Sequence, residues 1–250
     1  MNPDLTPLLR DWPFQPGELN VRLVDAGEGR KVMQIRVELG LLQLELTGRP
    51  DGTRPNDRES RFDDQLARLK AWEAEYGETS GFVIAPEDCR ALREEAAQFH
   101  HRAAGFLALQ DYQSAVHDVD RNLRVIELVR EFAAEADDRA SLDPLLPHLV
   151  ATRTRAIATL AITRKEVKAA MAALDQGIDH LRHAYGAIGR PDDAEQSNEM
   201  QLLRGMRDAL VPKLPTSQRV ELQERLKAAL AAENYELAAI LRDELRLMSD

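Results

Sequence analysis

The chain has 250 residues, a formal net charge of −10, and 30 % charged against 44 % apolar residues. That is an ordinary globular composition, and the scarcity of aromatics (5 %) calls for a core of Leu, Ala, Val and Ile, which suits packed helices. One cysteine, Cys89, excludes an intrachain disulfide and a cysteine zinc site. The acidic balance argues against broad DNA binding, and no apolar run reaches the ~20 residues that span a bilayer. Met1-Asn2-Pro3-Asp4 lacks a basic region followed by an apolar stretch, so a cytoplasmic protein without a signal peptide is expected.

The first ~50 residues read as β. Leu19, Val21 and Leu23 alternate with polar residues, as do Met33, Ile35, Val37 and Leu39. The intervening Asp25-Ala26-Gly27-Glu28-Gly29-Arg30 predicts a hairpin turn. After Gly40 the apolar phase shifts to Leu42, Leu44 and Leu46, which predicts a bulge or a bend into further strand. Trp12, Pro13, Phe14 and Pro16 are expected to pack over one face of this unit.

Thr47–Ser60, with Gly48, Pro50, Gly52 and Pro55, reads as a linker. Phe62, Leu66, Leu69 and Trp72 then set a helical spacing to about Tyr76, and Phe82-Val83-Ile84 reads as a short strand. Residues 87–135 are strongly helical with a break near 110, after which Asp111 is placed to cap a second helix. Ala103, Ala104, Gly105 and Ala115 allow two antiparallel helices to approach closely, and Asp111-Tyr112-x-x-Ala115 resembles the opening of a tetratricopeptide helix. A second pair is predicted over 145–162 and 165–185, with Ala156, Ala169, Ala170 and Gly177 as the small residues. A further helix is predicted over 193–210, before Pro212 and Pro215.

The C-terminal segment is the most informative. Leu222, Leu226, Ala229 and Leu230 form one apolar stripe at helical spacing; Leu237 or Ala238, Leu241, Leu245 and Met248 form another, and Asn234 marks the reversal between them. Each helix has only ~3–4 turns and needs a packing partner. Ala228, Ala229, Ala238 and Ala239 keep the crossing thin, and Tyr235 is placed to close the turn. The run Tyr235-Glu236-x-Ala238-Ala239-x-Leu241-Arg242-Asp243, preceded by Leu226-Lys227-Ala228-Ala229, resembles the UVR motif of the bacterial excision-repair proteins UvrB and UvrC over about 218–248. Tyr235 and Leu226 stand where that family usually has Phe and often Met.

The resemblance implies a helical hairpin for protein–protein contact, as in UvrB, UvrC, Clp-type ATPases and their McsA-like adaptors. It marks Leu222, Leu226, Ala229, Leu230, Tyr235, Glu236, Ala238, Ala239, Leu241, Arg242, Asp243 and Leu245 as partner-binding residues. Elsewhere the chain departs from those relatives. There is no phosphate loop, no recognisable nuclease region, and no cysteine pair for metal.

Other constellations are thin. His180 and His183 could share a helix face, but no second pair completes a metal site. Glu94, Glu95, Asp118 and Asp120 read as surface charges. Arg153, Arg155, Arg164, Lys165 and Lys168 form a basic stretch that nucleic acid or an acidic partner could use.

The sequence therefore predicts an α+β, mainly α fold. It consists of an antiparallel β unit over 1–56, repeat-like helical hairpins over 57–211, and a UVR-like hairpin over 216–250. The expected function is a non-catalytic adaptor or regulator without cofactor, metal or membrane association, docking on a UVR-containing partner, a Clp-type ATPase or an excision-repair protein. Self-association remains open. The alternatives are a nucleic-acid-associated repair accessory and, more remotely, an enzyme with an unrecognised pocket.

Overall fold

A computed structural model describes residues 4–210, 218–231, 237 and 240–242, with the side chains of 218–222 outside that set. The chain divides into two compact units, residues 1–207 and 208–250. The fold is α+β and mainly α, with a small antiparallel sheet near the N-terminus. Among the described residues no helix is long and apolar enough to cross a membrane.

After a short helix α1 (Thr6–Asp11), three strands form a meander: β1 (Asn20–Asp25), β2 (Lys31–Val37) and β3 (Gly40–Glu45), in spatial order β1-β2-β3. Val21 pairs with Ile35 and Leu23 with Met33, so odd positions face odd positions across the first turn. Across the second turn Met33 pairs with Leu44 and Ile35 with Leu42. The shift of apolar phase at Gly40 is thus a tight reversal between Val37 and Gly40, rather than a bulge or a bend. A two-residue turn pairs odd with even positions, so the apolar set must change phase to stay on one face. Leu39, at the turn tip, is 90 % exposed for the same reason.

The apolar face, with Met33, Ile35 and Leu44, packs on Phe106 and Ala115. The opposite face is a polar ladder: Arg22 donates to Gln34 Oε1 at 3.0 and 2.9 Å, and Gln34 Nε2 donates to Gln43 Oε1 at 3.0 Å. Trp12 covers this face as expected. The Arg22 guanidinium stacks 4.1 Å from the Trp12 ring centroid, and Arg36 Nε donates to the Trp12 carbonyl at 3.0 Å.

The helices follow: α2 (Arg61–Tyr76), α3 (Pro86–Ala108), α4 (Tyr112–Phe132), a short α5 (Ala136–Ala140), α6 (Leu146–Thr163), α7 (Val167–Ala187) and α8 (Asn198–Leu210). α3 packs on α4, α4 on α6, and α6 on α7, with α2 against α3. Phe62, Ile84, Cys89, Leu92, Val125, Ile126 and Leu149 belong to the main core. The strand expected at 82–84 is a single parallel bridge, Ile84 to Ala133. The helix expected from 193 starts later. Pro191–Gln196 is a 3-10 turn, and α8 begins where the Ser197 hydroxyl accepts from Met200 N at 3.1 Å.

Asp111 caps α4 as expected, its carboxylate accepting from Ser114 N at 3.1 Å. The ends of α3, α6 and α7 share one hydrogen-bond pattern. Asp111 N donates to Phe106 O, Glu166 N to Ala161 O and Arg190 N to Tyr185 O, each behind a left-handed residue: Gln110 (φ 62°), Lys165 (φ 63°) and Gly189 (φ 72°). This recurrence makes α3–α4 and α6–α7 two similarly closed hairpins.

Two glycines set the closest approaches. A β-carbon on Gly105 would lie 2.1 Å from Met33 Sδ, so this glycine admits the sheet rather than a neighbouring helix. A β-carbon on Gly177 would lie 2.0 Å from Thr154 Cγ2 and 2.7 Å from Thr154 Cβ. Thr154 is β-branched and buried, so it cannot swing away. Gly177→Ala is expected to destabilise the protein by about 1–3 kcal/mol in urea titration. Gly186→Ala, on the same helix with nothing within 4 Å of its added carbon, should be neutral or slightly stabilising.

Candidate functional site

The first unit is held by a polar network that the sequence did not announce. Glu95 on α3 and Asp118 on α4, expected as surface charges, are fully buried. Each is buried because cationic and backbone donors surround it. Glu95 Oε2 accepts from Arg61 N at 2.8 Å and Glu95 Oε1 from Phe62 N at 3.2 Å, so the carboxylate sits on the positive N-terminus of α2. Arg121 pairs with the same carboxylate, and Arg49 lies 3.4 Å from Oε2. Asp118 receives a two-pronged bond from Arg102, both arms 2.8 Å, while Arg102 Nη1 donates to Glu45 O at 3.0 Å and Gly48 O at 2.8 Å.

The guanidiniums alternate with phenylalanine rings. Arg124 lies over Phe62, Arg121 over Phe62 and Phe99, and Arg102 over Phe99 and Phe106. Burial pushes Arg121 down to about 10, opposed by Glu95, Asp63 and Asp118, so it stays charged at neutral pH. A cleft of about 440 Å³ opens over this wall. Its lining sets Glu59, Asp63, Asp118 and Asp120 against Arg102, Arg121 and Arg124, so neither sign of charge strongly prevails there. Glu95→Ala leaves Arg121 buried without its acid and should destabilise the protein by about 3–5 kcal/mol, with Glu95→Gln less severe, both read from urea unfolding midpoints.

A second groove, of about 390 Å³, lies between α3, α6 and α8. His100 and His148 meet across it with ring centroids 5.4 Å apart, edge to face. Burial first, then His148 and His101, holds His100 below its ordinary 6.5. In the unfolded chain His100 takes its proton near 6.5, and in the folded protein only at lower pH. The unfolded state therefore binds more protons below 6.5, and stability falls as the pH drops through that window. Unfolding midpoints at about pH 7.5 and about pH 5.5 should differ more for the native protein than for His100→Gln. Cys89 carries no exposed chemistry: it is buried, and desolvation raises its thiol to about 11.

The basic stretch is distributed over separate surfaces. Arg153 points to Asp120 of α4, whereas Arg155, about 200° further round α6, lines the second groove. Arg164, Lys165 and Lys168 are exposed at the α6–α7 turn. His180 and His183 are exposed on α7, and His183 Nδ1 lies 2.8 Å from Asp179 O. Among the described residues no group of three or more His, Cys, Asp or Glu is arranged to hold a metal ion.

In the second unit, α9 (Gln218–Ala231) is followed by helical residues 237 and 240–242. Ala229 and Leu241 are buried together, with Leu226 packed against them. On one straight helix Ala229 and Leu241 would be about 18 Å apart, so their contact requires the two helical stretches to fold back on each other. Leu226, Ala229 and Leu241 therefore close the inside of the hairpin. Leu230, Leu237 and Ile240 remain 52 %, 38 % and 56 % exposed. Arg242 is exposed. Of the other sequence-predicted contacts, Tyr235, Glu236, Ala238, Ala239, Asp243, Leu245 and the side chain of Leu222 lie outside the described residues. Leu237 and Ile240 were not among the predicted contact residues. Their signal was an apolar residue just off the Ala238–Leu241 stripe, which the pattern alone assigns to neither side.

A mainly helical protein with a C-terminal helical hairpin is thus defined by its fold. The family profile described as the UvrB/uvrC motif matches residues 217–250, so the chain carries a UVR motif there. That motif is known in UvrB, UvrC and Clp-type proteins, where it fits protein interaction or repair. No curated protein and no solved structure matches the chain.

Proposed function

We infer that this protein is a non-catalytic adaptor or regulator that docks on another protein through its C-terminal hairpin. The observation that carries this reading is the pair of unlike hairpin sides. Leu226, Ala229 and Leu241 satisfy the inside, while Leu230, Leu237 and Ile240 stand out in solvent on helices too short to be stable alone. Exposed apolar side chains concentrated on so small an element mark a helix-in-groove or helix-on-helix contact. The partner class that agrees with the UVR motif is a UVR-bearing Clp-type ATPase or excision-repair protein.

The test uses the full chain against purified UvrB and a purified Clp-type ATPase from the same cell, immobilised separately. The native protein is expected to be retained by one of them. Leu230→Asp, Leu237→Asp and Ile240→Asp together should weaken retention by about tenfold or more while the helical circular dichroism stays unchanged. Retention equal to that of the native protein sinks the reading.

The second reading, a nucleic-acid-associated repair accessory, draws support from Arg164, Lys165 and Lys168, which are exposed together at one turn with Glu166 as the intervening acid. It expects DNA retention that falls steeply with salt.

A further inference from the structure

We propose that His100 on α3 and His148 on α6 form a two-imidazole site for a divalent transition-metal ion of the zinc or nickel class, which ties the α3–α4 hairpin to the α6–α7 hairpin.

The geometry comes first. The two rings meet across the groove between α3, α6 and α8, with centroids 5.4 Å apart and planes inclined by 61°. With metal–nitrogen bonds of about 2.1 Å, two imidazoles on one tetrahedral ion place their ring centres about 5 Å apart. The side chains thus stand at the separation that sharing an ion demands. They come from residues far apart in the chain, so no ligand spacing in the sequence pairs them. Thr152 Oγ1 lies 3.4 Å from His148 Nε2. A ring that gives its Nε2–H to that hydroxyl keeps its lone pair on Nδ1, and an outer partner of this kind is what orients ligating imidazoles.

The donor atoms select the occupant. Arg155 and Glu199 set one charge of each sign in the lining, so charge favours neither a cation nor an anion there. Imidazole nitrogen suits zinc, copper and nickel, whereas magnesium and calcium take oxygen ligands. Among the described residues no group of three or more His, Cys, Asp or Glu is arranged to hold an ion, so the two histidines supply two ligands and water supplies the rest. The groove, of about 390 Å³, has room for those waters, and His148 is exposed, which gives the ion an entry path. Such a site exchanges its ion more readily than a closed four-ligand structural site. Its effect is mechanical. The two hairpins pack through α4 and α6, and an ion on His100 and His148 adds a second tie, between α3 and α6. All of these residues belong to the first unit, so the inference stands independently of the C-terminal hairpin.

The experiment uses the full chain, stripped of metal with a chelator and titrated calorimetrically with Zn2+ at about pH 7.5, where ordinary imidazoles are neutral. One Zn2+ per chain should bind. At a free ion concentration about 100 times the dissociation constant, the thermal unfolding midpoint should rise by about 5 °C or more. Ni2+ should act likewise, and Mg2+ should neither bind nor shift the midpoint. His100→Gln and His148→Gln, made separately and with the helical spectrum intact, should each lose both the binding and the rise. His101→Gln, and His180→Gln combined with His183→Gln, should keep both. Absence of Zn2+ binding, binding that survives His100→Gln and His148→Gln, binding lost on replacing His180 and His183, or an equal response to Mg2+ would each overturn the proposal.

Discussion

The buried carboxylate of Glu95 fixes the arrangement of the first unit. It takes amide protons from the start of α2, a guanidinium from α4 and the charge of Arg49 from the loop after β3, all while sitting on α3. Removing such a charge from water is expensive, and the expense is offset only when its surroundings are assembled correctly. That condition makes the interaction a register device. α2 cannot slide along α3, nor α4 rotate, without orphaning a charge in a dry place. Arg102 does the same for the sheet, reaching Asp118 with two nitrogens and the carbonyls of Glu45 and Gly48 with a third. Apolar burial supplies the non-directional driving force for compactness, and the charged network adds a directional constraint.

The surface proposed for partner contact follows from the chemistry of the hairpin. On the hairpin, Ala229 packs with Leu241 and Leu226 on the inside, while Ala228 is exposed rather than at the crossing and Leu230, Leu237 and Ile240 lie outside, so recognition there would rest on apolar area. In the groove between α3, α6 and α8, alanines keep the floor free of bulk, and Arg155 and Glu199 set one charge of each sign in its lining.

Much of this was legible in the sequence. The alternation over 19–46, the helical spacing from 61 onward, the Asp111 cap and the UVR run at 226–243 are local signals, and local physics writes them. Other features were not legible because their cause lies far away in the chain. Glu95 and Asp118 look like surface acids when read beside their sequence neighbours, and only partners contributed by other elements make burial tolerable. Gln110 and Lys165 end helices in a left-handed conformation that side chains ordinarily avoid, and neither residue type announces it. Gly105 reads as a helix-packing residue, yet the atom that needs its missing side chain is Met33 on the sheet.

The sequence by itself determined the mainly helical class, the small antiparallel sheet and the UVR motif, because hydrophobic periodicity, turn residues and a short motif are properties of neighbouring positions. The tertiary structure alone decided which acids are buried, which of Arg153 and Arg155 is ion-paired and which lines a groove, and which side of the hairpin remains in solvent. Those outcomes depend on what other elements bring within a few ångströms, and no local pattern encodes that distance.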